Sequence, residues 1–145
     1  MHTQPNSIGR YPYRTIFVPF PLVAFTFALV TDILYWQTSV LMWQNFSAWL
    51  LLGGLVFGAL AILAGLGDVL RANARHYRPG WAETIGFAVI LILGLVNSFV
   101  HAGDGWTAVV PGGLILSALT FIAIIATLWL AAVSPLSQEW RILHD

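Results

Sequence analysis

Three polar side chains stand inside long apolar stretches of the chain: Asp32, Asn97 and Ser117. A carboxyl, an amide and a hydroxyl brought together can carry a proton, bind a small polar ligand, or hydrogen-bond one helix to another. A lone aspartate in an apolar span costs about 2.5–3.5 kcal/mol on the insertion scale, so it calls for partners. A second group is charged. Asp68 and Glu83 fall near Arg14, Arg71, Arg75 and Arg78. That set suits an ion-pair network locking a loop to its flanking segments, with an anion or lipid-headgroup site as the sharper alternative. Glu83 is also favoured by the dipole if it opens a helix.

Histidine offers less. His2 and His144 lie near the ends, and His76 and His101 belong to opposite ends of one apolar run. A bis-histidine haem b needs two facing ligands at one depth, and a metal centre needs at least three ligands; only His101 with Asp104 approach that. With cysteine absent as well, neither a metal nor a cofactor is expected, and His101 reads as an interfacial polar residue.

These residues must be positioned by helices in lipid. The chain is 59% hydrophobic and 8% charged, whereas a soluble domain carries roughly 25% charged residues. Four apolar runs, at about 17–36, 48–70, 82–101 and 108–133, each have the roughly 20 residues that cross a hydrocarbon core. No strand alternation competes, and a backbone in lipid must satisfy itself. The first run holds an acidic residue and ends in Tyr35-Trp36-Gln37, so it reads as a retained span rather than a signal peptide. Pro19 and Pro21 fit the first turn of its helix, where a missing N–H costs little.

Orientation follows from arginine, since lysine is absent. Arg10 and Arg14, then Arg71, Arg75 and Arg78, then Arg141 mark three cytoplasmic segments. The connections Gln37–Ser47 and Ala102–Thr107 carry no basic residue and face outward. Trp36, Trp43, Trp49 and Trp106 then form an outer aromatic belt, and Tyr11, Tyr13, Tyr77, Trp81 and Trp140 an inner one. The expected fold is all-α: one domain over residues 1–145, an integral membrane four-helix bundle with both ends in the cytoplasm. Zero net charge gives no reason to expect a nucleic-acid partner.

Each span has one face of small or polar residues. Gly54, Gly58, Ala61, Gly65 and Asp68 share a face of the second, where Gly54 and Gly58 form a GxxxG pair suited to close backbone approach. Gly86, Ile90, Gly94, Asn97 and His101 align on the third, Gly113, Ser117, Thr120 and Thr127 on the fourth, and Pro21, Phe25, Ala28, Asp32 and Tyr35 on the first. At 1.5 Å per residue, Asp32 and Asn97 both fall about 7 Å outward of the midplane, with Ser117 close to that level. The three are expected to converge, as a proton- or ligand-binding cluster or as hydrogen bonds fixing helix register.

The segments Val18-Pro19-Phe20-Pro21, Val30-Thr31-Asp32, Tyr35-Trp36, Ala64-Gly65-Leu66-Gly67-Asp68, Leu116-Ser117-Ala118-Leu119 and Trp129-Leu130 resemble a large bacterial family of small predicted inner-membrane proteins of unknown function. The resemblance runs from about Tyr11 to Trp129. It implies a four-helix bundle in which the Asp32 and Asp68 positions are characteristic, and it implies no activity. The chain departs from that pattern at Tyr11, Arg14 and Glu83, where relatives usually carry histidine, and at Phe87, where they carry asparagine. If the family histidines bind haem or metal, this member lacks them.

With no complete catalytic or cofactor set, the expected role is a non-catalytic accessory or assembly subunit of a bacterial inner-membrane complex, respiratory or photosynthetic. Its partners are then the lipid bilayer and other membrane subunits. A small transporter or proton conductor using Asp32, Asn97 and Ser117 is the alternative; a haem- or quinone-linked electron carrier is the third.

Overall fold

The computed structural model describes residues 12–70, 80–103 and 109–133. Five helices account for nearly all of them: α1 (Arg14–Phe17), α2 (Pro19–Thr38), α3 (Leu41–Leu70), α4 (Trp81–His101) and α5 (Gly112–Val133). No strand occurs among the described residues. Four helical segments are long and apolar enough to cross a bilayer: Arg14–Thr38, Leu41–Leu70, Trp81–His101 and Gly112–Val133. They form a ring in which α2 packs on α3, α3 on α4, α4 on α5, and α5 back on α2. The protein is therefore an all-α four-helix membrane bundle.

The first turn of α2 takes Pro19 and Pro21 where backbone N–H groups have no helical acceptor anyway. The other end closes on Ser39, which adopts left-handed geometry (φ 57°) and donates its N–H to the Tyr35 carbonyl at 2.7 Å. Only Ser39 and Val40 separate Thr38 from the start of α3. That helix begins at Leu41, well before the apolar run read to start near Ala48, so most of the connection Gln37–Ser47 is helical. At 30 residues α3 is about 45 Å long, more than the hydrocarbon core requires.

The centre is a layer of Phe25, Ala28, Leu51, Ile90 and Ile124, drawn from all four long helices. Around the outside, Trp49, Leu63, Leu70, Phe99 and Trp129 are largely exposed. Such a surface is a liability in water and the ordinary covering of a bundle in lipid.

The glycine faces work differently from the expected backbone-to-backbone approach. A Cβ on Gly54 of α3, or on Gly94 of α4, would run into the ring of Phe25. The two glycines thus form the slot that holds this ring at the bundle centre. Gly58 makes room for Leu91 in the same way, whereas a Cβ on Gly65 would only touch the aliphatic part of Arg14 at ordinary contact distance. Ala61, on the same face, is buried.

Because the Phe25 ring is only 1% exposed and bounded on two sides, it has little room to retreat. Gly94→Ala is expected to destabilise the bundle by about 1–3 kcal/mol, the usual range for overpacking. Denaturant unfolding in micelles reads this, and Phe25→Leu in the same chain should recover much of the loss.

Candidate functional site

Asp32 faces inward from α2 and is 0% exposed. Its Oδ2 accepts a hydrogen bond from Ser117 Oγ of α5 at 2.5 Å. Its Oδ1 accepts one from Ser47 Oγ of α3 at 2.5 Å and lies 2.9 Å from Nε2 of His101 on α4. One carboxyl group thus touches every other long helix of the ring. Asn97, one turn before His101, donates from Nδ2 to Ser117 Oγ at 2.7 Å. Thr31 Oγ1 lies 2.7 Å from Ser47 Oγ. Since the single Ser47 hydrogen is directed to Asp32, Thr31 is the donor in that contact, in competition with the Phe27 and Ala28 carbonyls of its own helix.

The proton inventory of the His101–Asp32 contact follows from the imidazole's other side. Nδ1 lies 3.1 Å from the Asn97 main-chain oxygen and 3.1 Å from Asn97 Oδ1, both acceptors, so Nδ1 carries a hydrogen. A hydrogen bond between Nε2 and Oδ1 then needs one further proton. Held on nitrogen, it gives an imidazolium–carboxylate ion pair; held on oxygen, it gives a neutral pair. Either way the pair is uncharged overall, which is what burial in lipid requires. Among the described residues, every buried side-chain nitrogen or oxygen has a hydrogen-bond partner.

Asp32, Asn97 and Ser117 are therefore brought together in the structure, and three further side chains join them. Sequence reasoning missed Ser47 because it was assigned to an outer connection, whereas α3 begins early and turns it inward. His101, which the sequence aligns with Asn97 on an inward face but which reads as an interfacial residue at the end of its span, is 4% exposed and belongs to the cluster. Thr31 had no signal beyond its place next to Asp32. Among the described residues no three His, Cys, Asp or Glu side chains gather into a metal-sized group.

Of the second group, the structure describes Arg14, Asp68 and Glu83. Both carboxylate oxygens of Asp68, at the end of α3, accept backbone N–H groups: Oδ1 from Tyr13 at 3.2 Å and Oδ2 from Arg14 at 3.1 Å. The start of α1 has no side-chain cap of its own, so its unpaired N–H groups and positive dipole end attract this carboxylate. Asp68 thus caps a helix from the neighbouring α3. Glu83 sits in the first turn of α4 and borders the same crevice as Arg14, with no ion pair between them within 4.0 Å. Arg71, Arg75 and Arg78 lie outside the described residues.

Fold and site together define a multi-pass membrane bundle whose four spans meet on one buried carboxyl group. The chain belongs to the predicted membrane protein family DUF2231, whose model matches residues 11–134. That family is one of unknown function. No curated protein and no solved structure matches the chain.

The hydrogen-bond inventory separates two substitutions. Asp32→Leu strands the donors of Ser47, Ser117 and His101 and is expected to cost about 3–5 kcal/mol, as when one partner of a buried ion pair is removed. Asp32→Asn keeps an acceptor for one serine and offers its amide N–H groups to neutral His101 Nε2 and to the other hydroxyl. It should cost less than about half as much. Equilibrium unfolding of both variants in the same detergent measures the difference.

Proposed function

We propose that this protein is a non-catalytic accessory or assembly subunit of a bacterial inner-membrane complex, respiratory or photosynthetic, with both termini in the cytoplasm. One observation carries the reading: Thr31, Asp32, Ser47, Asn97, His101 and Ser117 are directed at one another across four helices, with Asp32 as the shared acceptor. Polar chemistry of this kind fixes helix register, and among the described residues each buried side-chain nitrogen or oxygen has a partner within the protein. The outward surface supports the same role. Between α2 and α3 lies an apolar cavity of about 500 Å³ lined by aromatic residues including Phe27, Phe46, Trp49 and Phe57, the kind of surface a neighbouring span packs against.

The shared proton between His101 and Asp32 favours a second reading, a small proton-conducting protein in which this pair is the carrier. The two readings separate in one preparation. A tagged copy extracted in mild detergent is expected to migrate in a larger assembly, and the purified chain in liposomes to pass protons no faster than empty vesicles. A free monomer in every mild extract overturns the subunit reading. A proton flux that Asp32→Asn abolishes establishes the conductor.

A further inference from the structure

At the arginine-bearing end, α2, α4 and α5 leave a crevice of about 120 Å³. Its walls are Val18, Leu22, Phe87, Ile90, Ile124 and Leu128. Along α4 it runs from Glu83 to Ile90, about 10 Å at 1.5 Å per residue, into the hydrocarbon level of the bundle. The rim carries two opposite charges, Arg14 from α1 and Glu83 from α4, both partly buried. Neither has an ion-pair partner within 4.0 Å among the described residues. Asp68, the other nearby carboxylate, has both oxygens on the backbone N–H groups of Tyr13 and Arg14.

An apolar slot with a separated cation and anion at its mouth matches an amphiphile whose head bears both charges. We propose that this crevice binds a zwitterionic phospholipid with a primary amine, one acyl chain entering between α2, α4 and α5, its phosphate on Arg14 and its ammonium on Glu83. A guanidinium suits phosphate oxygens, and a carboxylate accepts the N–H groups of a primary ammonium. A trimethylammonium head offers Glu83 no donor. A purely anionic head leaves Glu83 facing negative charge. The lipid is therefore selected by its head and seated by its chain, and this assignment is independent of whether the bundle is a subunit or a conductor.

Native mass spectrometry of the full chain in detergent tests this, with phosphatidylethanolamine, phosphatidylcholine and phosphatidylglycerol of identical chains. The wild-type protein should retain phosphatidylethanolamine best. Arg14→Gln and Glu83→Gln should each weaken that retention by about tenfold or more, the loss of one charge-assisted contact. Arg14→Lys and Glu83→Asp should keep most of it, which separates charge from folding. Leu128→Trp, at the half-exposed mouth, should block binding with both charges intact. Equal retention of phosphatidylglycerol or phosphatidylcholine by the wild type overturns the proposal. So does unchanged phosphatidylethanolamine binding in the two glutamine variants.

Discussion

A carboxyl group with no access to water persists only if its lone pairs are filled, and Asp32 meets that demand from three directions. Ser47, His101 and Ser117 belong to three different helices, so satisfying one residue of α2 fixes the axial level of α3, α4 and α5. In lipid this matters more than in water, because lipid tails are as apolar as the side chains they meet and no hydrophobic force draws helices together. Packing and hydrogen bonds must supply the specificity, and charge-assisted bonds are the stronger kind. Several local features read as consequences. The link from α2 to α3 is two residues long, which starts α3 early enough to place Ser47 opposite Asp32. The last residue of α4 is the histidine that completes the contact.

The bundle is tied at three levels by three kinds of chemistry. At the end opposite the arginines it is the proton-sharing polar cluster. At the centre it is shape, with the Phe25 ring in the slot left by Gly54 and Gly94. At the arginine-bearing end it is the helix dipole, with Asp68 of α3 capping the uncapped start of α1. The two buried aspartates thus have different work. One gathers side chains from across the ring, and the other holds a backbone terminus.

The spans are legible in the sequence because hydrocarbon thickness sets their length and arginine marks their ends. The inward faces are legible because glycine, serine and asparagine recur at helical spacing among Leu, Ile and Val. From these Asp32, Asn97 and Ser117 can be placed at one depth without coordinates. Ser47 is less legible, since an apolar run marks hydrocarbon rather than helix, and α3 outlasts its run by two turns. His101 fails for a related reason. A residue at a span's end reads as interfacial until the neighbouring helices are seen to cover it. The backbone bonds of Asp68 are not legible, because composition counts side chains only, whereas both of its oxygens accept backbone N–H groups that no residue type reveals.

Asp32 and its partners hold the spans in register as one coupled unit. The decisive measurement is a double-mutant cycle between Asp32→Ala and Ser117→Ala, read by reversible unfolding in bicelles. Coupling of about 1 kcal/mol or more is what a shared hydrogen bond across α2 and α5 predicts. Additive losses, agreeing within about 0.3–0.5 kcal/mol, would contradict it.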